Sequence, residues 1–195
     1  MGNSPDDVAE RFPPRVVVTG GESSGKTTLA AAMADALGTH WVAEFSREYA
    51  RQAQRVLTAD DVSPIARGQL EGEDRAIAAW RAEFGQAVSP PPLVLDTDLI
   101  STTVYAEHYH GTCPPWIIDE ARRRLADLYL LCEPDLPWEP DGIRDSPTER
   151  LQLHAAFRER LIAWGARFAP VSGYGDTRLA CALAAVRDVP VFRHA

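Results

Sequence analysis

Short apolar runs alternate along this chain with longer stretches of helical pattern. Arg15 to Thr19 is a β-branched run closed by Gly20-Gly21, as suits a strand buried on both faces. In the alanine-rich stretch 25–37, Leu29, Met33 and Leu37 recur every four residues, predicting a helix that stops at Gly38. Residues 39–43 read as a second strand, 47–57 and most of 64–86 as helices, and 93–96 as a third buried strand after the Ser89–Pro92 break. A helix over about 101–109, a break at Gly111 and Pro114-Pro115, and a short helix near 116–125 lead to a fourth strand at 128–132. Pro134 to Asp145, with three prolines and a glycine, is a loop. Helix 147–165, strand 168–172 and helix 176–187 complete the pattern, and the tail VPVFRHA is read as an added edge strand.

Strands alternating with helices predict an α/β domain with a parallel sheet covered on both faces and right-handed crossovers. Ligands of such sheets gather at the carboxyl ends of the strands. The chemistry is therefore expected just after residues 19, 43, 96, 132 and 172. Residues 1–14 read as a flexible tail, and 15–195 as a single domain with a lid at about 134–150.

Composition narrows the classes. The chain of 195 residues carries 20 Lys+Arg against 28 Asp+Glu, a formal charge of −8. That balance argues against a binder of nucleic-acid backbones. No apolar run approaches the roughly 18 residues of a membrane span, and the polar, acidic N-terminus has no signal pattern, so a cytoplasmic protein is expected. Cys113, Cys132 and Cys181 lack metal-type spacing and read as idle thiols of a reducing compartment. Only one of the 20 basic residues is a lysine, Lys26.

That lysine closes Gly20-Gly21-Glu22-Ser23-Ser24-Gly25-Lys26-Thr27, a full match to G-x-x-x-x-G-K-[ST] between a strand and a helix. The glycines let successive amides curl around phosphate oxygens, and the helix N-terminus adds its positive end. Lys26 supplies charge for the β- and γ-phosphates, and Thr27 a hydroxyl for Mg²⁺. Mg²⁺ usually takes carboxylate help. Asp96, ending a buried strand, is the natural partner, with a helix-cap carboxylate as the alternative. Asp98 would face the same side if the strand continued, although Leu99-Ile100-Ser101 suggests a turn.

The short chain favours a small-molecule kinase. Arg144, in the proline-rich loop, would lie on a lid that excludes water and adds charge to the transferring phosphoryl group; Arg150 is a further candidate. Glu44 ends the second strand, placed to accept a proton from a substrate hydroxyl, with Arg47 and Arg51 one turn apart after it. A salt-bridge cluster of Arg47, Glu44 and Arg51 is the alternative.

The succession GGESSGKTTL, EFSREYAR, LVLDTDLISTTVY, DLYLL and PWEPDGIRDSP resembles the nicotinamide riboside kinase domain of NadR-type proteins, from about Val16 to the last helix. The resemblance implies a P-loop NTPase fold of three layers with strand order 2-3-1-4-5. It implies phosphorylation of the ribose 5′-hydroxyl of nicotinamide riboside by ATP, giving nicotinamide mononucleotide. Carried over by motif, Gly20, Gly21, Glu22, Ser23, Ser24, Gly25, Lys26, Thr27 and Thr28 would bind the ATP phosphates. Glu44 would be the base or hydroxyl partner, Asp96 the Mg²⁺ partner, Asp98 a residue of the substrate edge, and Arg144 the lid arginine. In the fused proteins a nucleotidyltransferase domain precedes this one; with 195 residues, none is expected here. A kinase for another nucleoside or sugar, or an NTP-dependent switch, are the competing readings.

Nicotinamide riboside carries a cationic ring, which favours aromatic faces and carboxylates. Trp138 and Tyr49 are the aromatic candidates for it, with Arg47 as a further substrate contact. Tyr105, His108 and Tyr109 share one helix, where core packing is expected. In nucleotide kinases the adenine lies between the lid and the loop after the last strand. Arg178 could stack on it there, or be a surface helix residue. The partner expected is a small molecule, with neither nucleic acid nor membrane.

Overall fold

The computed structural model describes residues 12–137 and 147–192, without the side chains of 147 and 148. Five strands, β1 (Arg15–Thr19), β2 (Trp41–Val42), β3 (Leu93–Asp96), β4 (Leu128–Cys132) and β5 (Phe168–Val171), form one parallel sheet in the order β2-β3-β1-β4-β5. This is the P-loop kinase order. The central strand pairs on both sides, Val16 with Val94 and with Leu128, and all five of its residues are buried.

Seven helices connect and flank the strands among the described residues: α1 (Lys26–Leu37), α2 (Phe45–Ala53), α3 (Val62–Phe84), α4 (Leu99–His110), α5 (Pro115–Arg123), α6 (Pro147–Ala163) and α7 (Asp176–Arg187). The alternation of side chains along β1 splits the core in two. Val16 and Val18 pack with Leu29, Met33, Ala182 and Val186 under α1 and α7. Val17 packs on the other face with Ile77, Trp80, Val104 and Phe157 under α3, α4 and α6. A smaller cluster, including Val62, Leu99 and Ile117, joins α3, α4 and α5.

Local chemistry moves several predicted boundaries. The second strand shortens to Trp41–Val42, and α2 starts at Phe45 rather than Arg47. It ends early because Gln54 turns left-handed, at φ 51°. The third strand stops at Asp96, and α4 begins two residues before the pattern suggested, because the Asp98 side chain accepts the Ile100 N–H as its cap. The tail is not an edge strand as far as it is described. Pro190–Phe192 forms a 3₁₀ turn that drops Phe192 into the α1–α7 core, so the apolar pattern there reflects packing without pairing. No helix among the described residues is long and apolar enough to cross a membrane. All three cysteines are free, and Cys113 and Cys132 are buried.

Candidate active site

The turn between β1 and α1 forms the phosphate loop. Gly20 lies at φ 134° with its α-carbon pressed on β4, where an added Cβ would come 3.0 Å from the Cys132 carbonyl. Gly25 lies at φ 76°, where a Cβ would meet Leu136 Cδ1 at 2.7 Å. Ser23 joins them at positive φ. These left-handed residues produce the concave run of amides that holds anions. Gly21 offers its carbonyl to two side chains, Ser24 Oγ and Lys26 Nζ, each at 2.8 Å. Lys26 is thus buried and folded along the loop.

Thr27 Oγ1 donates to Asp96 Oδ2 at 2.6 Å, joining α1 to the end of β3. The other carboxylate oxygen, Asp96 Oδ1, is buried and has no hydrogen-bond partner among the described residues. Burial is the main force raising the carboxyl's pKa, with the negative charge of Glu44 adding to it; the Thr27 hydroxyl and Lys26 oppose. A hydroxyl and a carboxylate with an idle oxygen are hard donors of the kind Mg²⁺ prefers, so the residues present fit that ion. A cation there would reverse the cost of the buried charge.

Glu44 precedes α2 and points into the same space. Its Oε1 accepts from Ser46 Oγ at 2.8 Å, and Arg47 lies 3.6 Å from Oε2. Arg51 turns to Glu48 instead, at 2.7 Å, so the cluster of three weighed from the sequence reduces to one loose pair. Lys26, Glu44 and Arg47 line a single cleft of about 200 Å³ with Glu22 and Ser23. Its far wall is built by Val62 and Ile65 of α3 and by Tyr105, Ala106 and Tyr109 of α4.

Tyr49 and Asp98, expected at the substrate, do not line this cleft. Tyr49 donates its hydroxyl to Asp61 at 2.8 Å, in a staple that also holds Arg55 and the Thr58 amide. Asp98 is buried beneath α4, accepting from Ile100 N at 2.9 Å and Tyr129 Oη at 2.7 Å. The two aspartates diverge because Thr97 between them adopts φ 67°, so strand alternation is broken. Asp98 faces a second buried acid, Glu73, and burial pushes their carboxyls up to about 6 and about 7. Trp138 and Arg144 lie outside the described residues.

Arg178 is placed differently from a stacking residue. Its guanidinium is buried, donating to Asp135 Oδ1 at 2.7 Å and to the carbonyls of Gly173 (2.8 Å), Ser24 (2.9 Å) and Glu133 (3.0 Å). Arg150 is buried as well, donating to the carbonyls of Leu136 at 2.8 Å and Ser23 at 3.3 Å.

Sequence reasoning missed Gln69, which carries no motif. Its amide accepts from Phe45 N at 3.0 Å and donates to the Thr97 carbonyl at 3.4 Å, tying the start of α2 to the turn after β3. The helical spacing of Tyr105 and Tyr109 predicts core packing. Tyr105 does meet Phe157 edge-on, but both tyrosines also face the cleft. Their spacing of four on a helix that begins at a strand end was the available signal.

The model of an AAA domain family matches residues 15–178. The chain belongs to this family. This AAA domain is 31% identical over 147 residues to the trifunctional NAD biosynthesis/regulator protein NadR of Salmonella typhimurium, and equally to that of Escherichia coli. The match covers 72% of this chain and 33% of each relative, so the domain spans about a third of their length. Among solved structures, NadR in complex with NR superposes with a TM-score of 0.71 at 26% identity, covering 91% of this chain and 52% of that one. Deoxyadenosine kinase from M. mycoides with bound dATP shares the fold, with a TM-score of 0.56 at 14% identity, over 90% of this chain and 100% of that one. Together with the sheet order and the phosphate loop, these likenesses identify a NadR-like P-loop kinase domain.

Proposed function

We propose that this domain transfers the γ-phosphoryl group of ATP to the ribose 5′-hydroxyl of nicotinamide riboside, giving nicotinamide mononucleotide. The observation that carries the reading is that Lys26 and Glu44 line one cleft from different elements, while Thr27, next to Lys26 in the phosphate loop, bonds Asp96 at the end of β3. The likeness to a NadR bound to NR supports the choice of acceptor.

In this reading the amides from Gly20 to Thr28 hold the ATP phosphates, and Lys26 leaves Gly21 to bind the β- and γ-oxygens. Thr27 and Asp96 hold Mg²⁺, which when bound offsets the phosphates' negative charge. Glu44 accepts the proton of the attacking hydroxyl or orients it, and Arg47 beside it keeps the carboxylate ionised or contacts the substrate. The wall of Tyr105 and Tyr109 offers flat, electron-rich faces to an aromatic cation. Arg144 and Trp138 are assigned the lid charge and an aromatic contact on the motif alone.

The test is ADP release by purified protein with ATP and Mg²⁺, given nicotinamide riboside and a panel of nucleosides and sugars. Stimulation by nicotinamide riboside above the others is expected. Stimulation by a different acceptor only would replace the substrate. Hydrolysis indifferent to every acceptor would favour an NTP-driven switch.

A further inference from the structure

Two buried arginines outside the motif converge on the back of the phosphate loop. Arg150 belongs to α6 and Arg178 to α7, more than a hundred residues beyond the loop. Each donates to a loop carbonyl, Arg150 to Ser23 and Arg178 to Ser24. A trans peptide sets its C=O and its N–H in opposite directions. Holding the carbonyls of Ser23 and Ser24 toward the guanidinium groups therefore turns the next two N–H groups, those of Ser24 and Gly25, toward the opposite side. That side is where a curled loop of this kind presents its amides to an anion.

The two guanidinium groups are anchored elsewhere at the same time. The terminal nitrogens of Arg178 have four acceptors for their four N–H bonds, Asp135, Gly173, Ser24 and Glu133. Asp135 also accepts the Gly173 N–H at 2.7 Å, joining the segment after β4 to the loop after β5. Arg150 fixes the same post-β4 segment through the Leu136 carbonyl. Leu136 in turn presses on Gly25 at the start of α1.

We propose that Arg150 and Arg178 are positioning residues for the nucleotide phosphates, clamping two carbonyls of the phosphate loop outward so that its amide donors stay aimed inward. The inference rests on the loop being a nucleotide site, as proposed above. In this role both arginines act through the loop rather than on the nucleotide: the four terminal N–H bonds of Arg178 are spent on protein acceptors, and its Nε, like that of Arg150, is buried without a hydrogen-bond partner among the described residues. A planar fork can meet several acceptors at once, whereas an ammonium is a compact point charge on a flexible stem. Lysine is therefore a poor substitute at position 178, although its charge is the same.

The experiment measures binding of MgATP and of inorganic tripolyphosphate to the full chain by calorimetry, with steady-state kinetics alongside. The variants are Arg178→Lys, Arg150→Gln and Asp135→Asn, and the last leaves both arginines in place if another fails to fold. Arg178→Lys and Arg150→Gln should each weaken both probes about tenfold or more, since each removes buried, charge-assisted hydrogen bonds. Asp135→Asn should weaken both by a smaller factor. The KM for the acceptor should change less than twofold. A folded Arg178→Lys and Arg150→Gln that bind both probes within twofold of the parent would overturn the proposal. A loss confined to ATP, with tripolyphosphate unaffected, would also overturn it, because it would place Arg178 on the adenine. A parent chain that binds neither probe would bring down the nucleotide reading itself and the clamp with it.

Discussion

Two carboxylates two positions apart, Asp96 and Asp98, show how little a residue type says without its surroundings. Asp96 keeps one oxygen on Thr27 of the phosphate loop and the other buried, without a hydrogen-bond partner among the described residues. Asp98 spends its oxygens on a helix start and on Tyr129. Glu44 lines the cleft with Lys26 and Glu22, and the cation beside it, Arg47, is exposed and stands 3.6 Å away. Glu44→Gln keeps the shape and the Ser46 contact but cannot take a proton. Turnover should fall by about 10²-fold or more, with ATP affinity within a few-fold of the parent. An equal loss in both, by kinetics and calorimetry, would make Glu44 a structural anchor. Glu73 gives a second residue-scale prediction. Burial first, and then the negative charge of Asp98, push its carboxyl up to about 7, against the opposing charges of Arg15 and Arg124. The unfolded chain releases that proton near the ordinary value of 4.5, while the native chain keeps it to about 7. Native stability from this group therefore falls as pH rises between those values and is level above them. Glu73→Gln stays neutral throughout, so it should gain on the parent by on the order of 2–3 kcal/mol more at pH 8 than at pH 5. Denaturant titrations of both proteins at the two pH values check this; a difference that does not vary with pH would refute it.

Elements, more than single residues, decide where Glu44 stands. Helix α2 is short, lacks a buried residue of its own and holds its place through Phe45. The Phe45 amide is caught by Gln69, and its ring lies flat on Gly68 in α3, where an added Cβ would be 2.1 Å from Cε1. Alanine in a helix interior normally adds roughly 0.5–1 kcal/mol over glycine. At position 68 the overlap should reverse that sign. Gly68→Ala is expected to destabilise by about 1–3 kcal/mol and to lower turnover by shifting Glu44, with Phe45→Leu in the same chain restoring part of both. Thermal unfolding and kinetics of the single and double variants read the coupling. This contact also marks what the sequence could not show. The motif GGESSGKT and the strand pattern were legible because local spacing alone specifies them. The position of α2 depends on a glycine forty-odd residues from the motif and on one glutamine, and neither has a local signature. Asp98 turns away from Asp96 for a related reason: the strand does not continue through Thr97, whose left-handed backbone a β-branched residue rarely adopts.

At the scale of the whole molecule, the sheet gathers widely separated chemistry on one edge. The phosphate loop follows β1, Glu44 follows β2, Asp96 ends β3 and the arginine anchors follow β4 and β5, so all five strand ends contribute. The strands were legible because each apolar run is short and nearly uniformly apolar, as suits a buried strand, whereas their order was implied only by the resemblance to NadR-type kinase domains. The chain's base composition carries the last prediction. Among 20 basic residues, only Lys26 is a lysine, so the chain has one side-chain amine. It is buried and held at 2.8 Å by the Gly21 carbonyl, in a loop otherwise braced from behind by arginine. An amine-directed reagent should therefore modify the N-terminus quickly and Lys26 slowly, as peptide mass spectrometry can resolve. ATP with Mg²⁺ should suppress labelling of Lys26 by about tenfold or more at saturation while leaving the N-terminus unchanged, because bound phosphates occupy the ammonium's donors. Tripolyphosphate should protect to the same degree, and adenosine should not. Lys26 labelling that is indifferent to ATP would mean that the lone lysine does not serve the phosphates.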